Sequence, residues 1–544
     1  MLKKLLVSLL SALLCISVVA EPESQLNGNQ NETDVKVDEN GKVFVSPLKY
    51  HITSDSTVEV INDVSYKKLE SVVIPSEIRI GGHVYSVSRI GENGFYWCSG
   101  LTSIEIPSSV TSIGNEAFSF CSGLTSIEIP SSVTSIGISA FSGCSGLTSI
   151  NVATDNAIYS SENGVLYDKN RTKLICVPGG KKGKFVVPSG VTRIGDDAFR
   201  ECSGLTSIEI PSSVTSIGNG AFSWCAGLTS IEIPSSVTSI GIGAFSGCSG
   251  LSRVKIPSSV TSIGYYAFKD CSGLTSIKIP SSVTSIGDYA FKDCSGLTRI
   301  EIPSSVTNIG YGTFWSCSGL TSIEIPSSVT SIGNGAFSWC AGLTSIEIPS
   351  SVTSIESWAF SGCGGLISIN VTTDNAVYSS ENGVLYDKKK TKLICVPGAK
   401  KGKFEIPSSV TSIESWAFSE CGGLSRVKIP SSVTSIGVCA FTGCSGLTSI
   451  KIPSSVTNIG DYAFDRCSGL TSIKIPSGVT SIGYFAFKDC SGLTEIYIPS
   501  SVTHIEDWAF EDCKNLDVII DNSEENVTVG SCAFLGCKSV KYLK

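Results

Sequence analysis

The stretch GLTSIEIPSSVTSIGNGAFSWCA, residues 204–226, recurs with small changes along most of the chain. Its cysteine marks the period, because consecutive copies stand 23 residues apart. These cysteines are Cys98, Cys121, Cys144, Cys202, Cys225, Cys248, Cys271, Cys294, Cys317, Cys340, Cys363, Cys421, Cys444, Cys467, Cys490, Cys513 and, one residue late, Cys537. Two intervals of 58 residues, which is 23 + 35, interrupt the series. Such a period is typical of a stacked repeat, in which each unit needs its neighbours to bury its apolar face.

Each repeat unit predicts one coil of a solenoid. In one copy the invariant apolar residues are Leu228, Ile231, Ile233, Val237, Ile240, Ala244, Phe245 and Cys248. The segment LTSIEI alternates inward and outward residues, as a short parallel strand does, and Pro234 ends it by removing a donor. Val-Thr-Ser-Ile predicts a second short arm, and Gly241 permits the corner that follows. For GxxAFxxC we expect one helical or 3₁₀ turn, because the segment is too short for a free-standing helix.

The pattern LTSIxIPSSVTSIGxxAFxxCSG resembles the BspA-type leucine-rich repeats of bacterial surface proteins. The resemblance covers roughly residues 70–540 and repeats some seventeen times, so it is specific. It implies a leucine-rich-repeat solenoid with short parallel β-strands and 23-residue coils, mostly β with short turns or 3₁₀ segments. It also implies an adhesin that binds host matrix proteins, host cells or other microbes, although a fold alone does not determine a function.

The two ends of the chain differ from the repeats. Residues 1–20 have two lysines followed by an apolar run and Val-Val-Ala, which predicts a secretory signal peptide. The polar residues 21–42 predict a disordered leader. Residues 43–94 predict an N-terminal cap, residues 95–513 the solenoid, and the degraded repeat at 514–544 a C-terminal cap. No later stretch is apolar and long enough to predict a transmembrane segment.

Two near-identical inserts, residues 151–188 and 370–407, account for the long intervals. Each contains two apolar runs around a polar turn, which predicts a hairpin. Thirteen of the 40 basic residues lie in them: Lys169, Arg171, Lys173, Lys181, Lys182, Lys184, Lys388, Lys389, Lys390, Lys392, Lys400, Lys401 and Lys403. These loops are either docking sites for anionic ligands or, as we favour, solvated loops whose lysines oppose edge pairing.

The 22 cysteines of an exported protein ordinarily suggest disulfides. Here seventeen share one register position next to the inward phenylalanine, and an odd-numbered ladder cannot pair completely. We therefore expect reduced, buried thiols that fill a tight corner. Cys439 and Cys532 each directly precede an Ala-Phe pair, and we expect these to be the more reactive thiols.

The sequence gives little support for catalysis or for a cofactor. The only histidines, His51, His83 and His504, are far apart in the repeat register, so no catalytic triad is predicted. Because Cys-x-x-Cys spacing is absent, we expect no metal site and no other cofactor. The net charge of −8 argues against a nucleic-acid partner. We predict that the protein is not an enzyme.

The outward position between the two isoleucines of LTSIEI carries charge in blocks along the chain. Two blocks are basic and form a predicted concave patch for ligand binding: Arg426, Lys428, Lys451 and Lys474, and Arg253, Lys255, Lys278 and Arg299. Repeat duplication without selection for binding is an equally good explanation. A second candidate surface is an aromatic edge around Ala-Phe, which consists of Trp224, Trp315, Trp339, Trp358, Trp416 and Trp508. Exposed tryptophans suit carbohydrate or protein recognition, but packing between coils would also explain them.

These features predict an exported, non-enzymatic adhesin, secreted or held at the cell surface, whose partner is an extracellular protein or glycan. Many weak, repeated contacts would add up through multivalency. The alternatives are a structural surface spacer and a glycan-capturing surface protein, for which the aromatic edge would matter more than the basic blocks. The sequence predicts neither the identity of the ligand nor the oligomeric state.

Overall fold

The computed structural model describes residues 47–544 and, for the backbone alone, Lys36–Val37 and Lys42–Val45. The predicted signal peptide lies outside the described residues, as does nearly all of the predicted leader. From residue 47 onward the chain forms a parallel β-solenoid of about 20 coils of about 23 residues each. The predicted leucine-rich-repeat solenoid is therefore confirmed.

The LTSIEI segments form the first ladder of parallel strands, in which equivalent residues of neighbouring coils are paired, as Ile231 is with Val254. Its strands are Ser71–Val73, Ser103–Glu105, Ser126–Ile129, Ser149–Val152, Gly183–Val186, Leu205–Glu209, Ser230–Glu232, Arg253–Lys255, Ser276–Lys278, Arg299–Glu301, Ser322–Glu324, Ser345–Ile348, Ser368–Val371, Gly402–Glu405, Leu424–Lys428, Ser449–Lys451, Ser472–Lys474, Glu495–Ile498, Asp517–Ile520 and Ser539–Tyr542. The central Ile or Val of each repeat strand points into the core, and the residue after it is exposed in most coils.

The VTSI segments form the second ladder, in which Ile240 pairs with Ile263. Its strands are Thr57–Val60, His83–Ile90, Ser112–Ile113, Ser135–Ile136, Lys173–Cys176, Arg193–Ile194, Ser216–Ile217, Ser239–Ile240, Ser262–Ile263, Ser285–Ile286, Asn308–Ile309, Ser331–Ile332, Ser354–Ile355, Lys392–Cys395, Ser412–Ile413, Ser435–Ile436, Asn458–Ile459, Ser481–Ile482, His504–Ile505 and Thr528–Val529. The glycine that follows is needed for close approach: a Cβ on Gly287 would lie 2.6 Å from the backbone nitrogen of Tyr265 in the preceding coil.

The GxxAFxxC segment, which we call the turn edge, closes each coil. It forms two consecutive tight turns, each with a left-handed residue, such as Gly220 (φ 59°) and Trp224 (φ 61°). The N–H groups of Phe222 and Trp224 donate to carbonyls of the next coil at 2.8 and 2.7 Å. The N–H groups of Ser223 and Cys225 donate back within the segment, to the carbonyls of Gly220 and Phe222 at 2.8 and 3.2 Å. The segment is therefore a pair of short turns and not the single helical or 3₁₀ turn expected for it. In residues 47–544 the 3₁₀ segments are Val64–Lys68 and Glu524–Asn526.

The core is a column of identical side chains. The phenylalanine of each turn edge stacks on that of the next coil, as Phe245 does on Phe268 with ring centroids 5.3 Å apart and planes 5° apart. Both rings are fully buried. Where an insert replaces the turn edge, a strand residue packs edge-on against the next phenylalanine: Phe185 against Phe199 and Phe404 against Phe418.

The repeated cysteine is both a core residue and a hydrogen-bond donor. The thiol of Cys294 donates to the carbonyl of Phe268, in the preceding coil, at 3.0 Å. Fourteen of the seventeen repeated cysteines make this contact with a phenylalanine carbonyl. All but Cys537 are buried, as predicted, and all are free thiols. Burial raises the pKa of Cys248 to about 12, so the thiol keeps its proton at neutral pH.

The two cysteines predicted to be reactive differ from each other. Cys532 is exposed. Cys439 is only 5% exposed, and burial raises its pKa to about 11, an effect that a hydrogen bond with Thr442 partly offsets. The predicted reactivity of Cys439 is therefore wrong, because its position on the turn edge packs it against the neighbouring coil.

Each insert forms the predicted hairpin. The antiparallel strands are Tyr159–Glu162, Val165–Asp168 and Lys173–Cys176, and, in the second insert, Tyr378–Glu381, Val384–Asp387 and Lys392–Cys395. The middle strand is buried on both sides: Leu166 packs into the core that precedes it, whereas Val165 and Tyr167 pack into the core that follows. The second insert does the same, so the two hairpins divide the core into three segments.

The ends of the solenoid have different pairing. At the N-terminal end Lys36–Val37, Lys42–Val45, Leu48–Ile52 and Thr57–Val60 are antiparallel neighbours, and Glu77–Ile80 pairs antiparallel with His83–Ile90. At the other end Asp517–Ile520 and Ser539–Tyr542 continue the parallel ladder. Roles as caps for residues 43–94 and 514–544 remain proposals.

The thiol contact can be tested at Cys294. We expect Cys294→Ala to destabilise the fold by about 1–2 kcal/mol, because it leaves a small void and removes a donor. Cys294→Ser keeps a donor for the Phe268 carbonyl and should cost less than the alanine variant. Urea unfolding followed by circular dichroism measures both, with Cys532→Ala as the exposed control. A serine variant less stable than the alanine variant would show that the hydrogen bond contributes nothing.

Thiol labelling tests the difference between Cys532 and Cys439. In the native protein we expect an aromatic disulfide reagent to label Cys532 rapidly and to leave Cys439 and the repeated cysteines unlabelled until the chain unfolds. Mass spectrometry of the labelled peptides identifies the site. Labelling of Cys439 at a rate similar to Cys532 would contradict the buried position.

Candidate functional site

All eight predicted basic residues are exposed on the outer side of the first ladder. The strand register places Lys428, Lys451 and Lys474 side by side on three successive coils. Arg426 lies two residues before Lys428 on the same strand and on the same side. These four residues, the C-terminal basic block, therefore form one continuous cationic surface.

The C-terminal basic block borders a shallow groove. Its three lysines line the groove together with Pro453 and Pro476, which end the strands. Lys428 at its first position makes an exposed ion pair with Glu405 at 3.3 Å. Lys451 and Lys474 make no ion pair with any residue of 47–544. Two of the three ammonium groups are thus available to a ligand.

The middle basic block, Arg253, Lys255, Lys278 and Arg299, is more nearly neutralised. Lys255 and Lys278 are register partners, but Lys255 is ion-paired with Glu232 and Lys278 has Glu301 as its other neighbour. The ladder does not bring this block into contact with the C-terminal one, because acidic and amide rungs and the second insert separate them. The outward positions of the first-ladder strands between the two blocks are Glu301, Glu324, Glu347, Asn370 and Glu405.

The predicted aromatic edge is three groups, not one row. Trp224 and Trp339 are 45% and 41% exposed, and each lies over a glycine of the next coil. Trp315, Trp358 and Trp416 are half-buried among other rings. Trp508 stacks on Phe485 with centroids 5.1 Å apart.

Trp315, Trp358 and Trp416 belong to a seven-ring cluster that sequence reasoning did not identify as a unit. The rings contact one another in a chain with centroid separations from 4.0 to 6.1 Å. The cluster consists of Tyr265, Tyr266, Tyr289, Tyr311, Trp315, Trp358 and Trp416. The coil of Gly335 contributes no ring to the cluster, and the ring of Trp315 lies over this glycine, so the series of ring contacts is not interrupted there. The signal in the sequence is the concentration of aromatics in the turn edges of nearby coils.

Several basic side chains of the inserts are held by the protein itself. Lys181 and Lys400 each donate to the carbonyl of an insert asparagine, at 2.8 and 2.7 Å. Arg171 and Lys390 are ion-paired with Glu162 and Glu381. These contacts occupy four of the thirteen basic side chains, and both interpretations of the inserts, as docking sites for anionic ligands or as solvated loops, stay predictions.

The polar residues that could carry chemistry are scattered. His51 faces Glu59 at 3.6 Å, His83 contacts the carbonyl of Asp55, and His504 contacts the hydroxyl of Thr503. In residues 47–544 no group of three or more His, Cys, Asp or Glu side chains could hold a metal ion. Across the same residues, no helix has the length and apolarity needed to cross a membrane.

Comparison with known proteins places the chain in a family. The model of the BspA type leucine-rich repeat region, with six copies, matches residues 65–176, 181–297, 261–390 and 398–517. No curated protein matches the chain.

Solved structures of bacterial leucine-rich repeat proteins are similar over most of the chain. A leucine-rich cell surface protein of Faecalibacterium prausnitzii is 28% identical, and the match covers 91% of this chain and 97% of that protein, with a TM-score of 0.33. A leucine-rich repeat protein of Bacteroides ovatus is 27% identical over 87% of this chain and 99% of that protein, with a TM-score of 0.34. The repeat model alone matches far more than half of the chain. The chain therefore belongs to the BspA-type leucine-rich repeat family, as its sequence predicted.

Proposed function

We propose that this protein is an exported, non-enzymatic adhesin that binds an extracellular protein through the C-terminal basic block. Proteins of this family are bacterial surface proteins, and leucine-rich repeats are typically scaffolds that bind protein ligands. The amino-terminal sequence of residues 1–20 supports export. The partners we consider are host matrix proteins, host cells and other microbes.

The observation that carries the proposal is the row of Lys428, Lys451 and Lys474 on neighbouring strands of the first ladder. Strand spacing sets these side chains about 4.8 Å apart at the backbone, so the like charges repel by roughly 1 kcal/mol or less per pair. The row therefore does not stabilise the fold. A partner with an acidic surface would relieve the repulsion, and the fixed spacing would let several weak contacts act together.

Specific observations support two alternative functions. A surface spacer needs only the regular coils, which recur whether or not any face binds. A glycan-capturing protein would use the exposed rings of Trp224 and Trp339, since sugars stack on such faces. The three functions differ in which substitution abolishes binding and in how binding responds to salt.

The main test replaces the row by Lys428→Glu, Lys451→Glu and Lys474→Glu together. The wild-type protein should bind a matrix protein on an array of matrix proteins and glycans, more weakly at physiological than at low salt, because exposed charges are screened. The triple variant should lose at least ten-fold in affinity, a change of about 1.4 kcal/mol, by surface plasmon resonance.

The matched control is Lys67→Glu, Lys68→Glu and Lys514→Glu, which makes the same change in net charge at exposed sites away from the block. This control should keep most of the affinity. An equal loss in both variants would refute a site at the block. Salt-insensitive glycan binding that needs Trp224 would favour glycan capture, and no binding at all would favour the spacer.

Substitution of Lys451 alone should separate binding from stability. Lys451→Glu places an acid between two lysines, so we expect weaker binding but a small rise in melting temperature at low salt that disappears at high salt. Differential scanning calorimetry at two salt concentrations measures the rise. A fall in melting temperature at low salt would contradict the repulsion inferred for the row.

A further inference from the structure

The second insert creates a cleft on the turn edge. Because the insert coil has no GxxAFxxC segment, the turn edges on either side of it are separated by a gap. At the second insert this gap is a cleft of about 420 Å³, lined among others by Trp358, Trp416, Glu356, Glu414 and Tyr378. The indole rings of Trp358 and Trp416 stack across it with centroids 5.6 Å apart.

The first insert has almost the same sequence but a much smaller gap of about 100 Å³. There the residues equivalent to the two tryptophans are Ser139 and Asp197, which hydrogen-bond to each other across the gap. The residues equivalent to the two glutamates are Gly137 and Gly195. The flanking turn edges also differ at Ile138, Asp196 and Arg200, which are Ser357, Ser415 and Ser419 at the second insert, so the larger cleft goes with changes in the flanking coils.

Elsewhere on the turn edge an aromatic ring receives a lysine from its own coil, three residues later. Lys269 lies 5.6 Å from the ring centroid of Tyr266, and Lys488 lies 5.1 Å from that of Phe485. Lys292 contacts the rings of Tyr289 and Trp315 at 5.7 and 5.4 Å. These rings thus already act as receptors for ammonium groups.

At the cleft the lysine is missing. The residues three positions after Trp358 and Trp416 are Ser361 and Ser419, whose hydroxyls bond each other at 2.8 Å. In the part of the chain that the structure describes, no basic side chain lies over either indole ring. The two indole rings, which stack on each other, therefore lack the lysine that their counterparts contact.

The cleft also carries an excess of negative charge. Glu356 accepts the N–H of Asn334 at 3.1 Å and Glu414 accepts the hydroxyl of Ser412 at 2.7 Å, each through one carboxylate oxygen. The second oxygen of each has no protein partner among residues 47–544. Asp387 adds a third carboxylate to the lining, against the single ammonium of Lys392.

We propose that the cleft at the second insert binds an organic ammonium group, held against Trp358 and Trp416 and neutralised by Glu356 and Glu414. Rings that face a cation and carboxylates that balance its charge recognise such groups, whether on a lysine side chain or on a quaternary ammonium compound. A neutral sugar could stack on the rings but would gain nothing from the carboxylates. The site lies on a different edge from the C-terminal basic block, so neither proposal depends on the other.

The test uses the full chain and small probes. Saturation-transfer NMR and calorimetric titration should detect binding of choline and of N-acetyl-lysine methylamide, and the tighter of the two identifies the source of the ammonium. The uncharged isostere 3,3-dimethyl-1-butanol should not bind. Trp358→Ala and Trp416→Ala should each weaken binding roughly 2- to 30-fold, the range of a cation–π contact. The double variant Glu356→Gln and Glu414→Gln should also weaken it, without loss of the acceptors for Asn334 and Ser412.

Trp224→Ala is the matched control, because Trp224 is a turn-edge tryptophan far along the chain from the cleft, and its loss should leave affinity unchanged. Circular dichroism verifies that each variant is folded. The proposal is overturned if neither ammonium probe binds, if the uncharged isostere binds equally well, or if the glutamine double variant keeps full affinity. Binding of neutral monosaccharides that needs Trp358 and ignores Glu356 would instead assign the cleft to a glycan.

Discussion

The whole solenoid depends on one constraint, the close stacking of each coil on the next. Strand spacing in a parallel ladder is about 4.7–4.9 Å, and every inward residue must fit a neighbour of the same kind at nearly that distance. The stacked phenylalanines, the glycine corners and the thiols that bond a carbonyl of the preceding coil are three solutions to this requirement. The interior therefore repeats, and variation occurs at outward positions of the ladders and on the turn edge.

The ladder and the turn edge differ in which side chains their outward positions tolerate. On the ladder, side chains point into solvent at fixed spacing, so charge can be changed there without disturbing the core. On the turn edge, two positions in each coil have a left-handed backbone, which is unfavourable by about 1–2 kcal/mol for any residue with a Cβ. Several coils place glycine there, and others place rings such as Tyr266 or Trp358. Stacking of such rings is worth about 0.5–1.5 kcal/mol per pair, which offsets much of that strain.

The sequence predicted the features that follow from apolar spacing and failed for those that depend on contacts between coils. The period, both ladders and the burial of the cysteines follow from apolar spacing, and the basic rows follow from counting one outward position. The turn edge was expected to be one helical turn, but every second N–H group donates to a carbonyl of the next coil, and nothing local in GxxAFxxC signals that. Cys439 was taken as reactive because it lies outside the cysteine column, but the turn edge buries it. The double-sided burial of Leu166 and Tyr167 needs the structure, since a short apolar run does not show which core each residue enters.

The two inserts show how one insertion can have different consequences. Their sequences are nearly identical, and each divides the core and removes one turn edge, so each leaves a gap in the same place. In the first, a serine and an aspartate close the gap, whereas in the second two tryptophans and two glutamates line a wider one. If the stacking of coils were the only constraint, it would act equally on the first and the second insert. Glutamate replaces the corner glycine on both sides of the second insert, and Glu506 does so in a coil without an insert. Trp508 likewise occupies the position of Trp358 and Trp416 in that ordinary coil, so the cleft needs both the gap that the insert leaves and the side chains that line it.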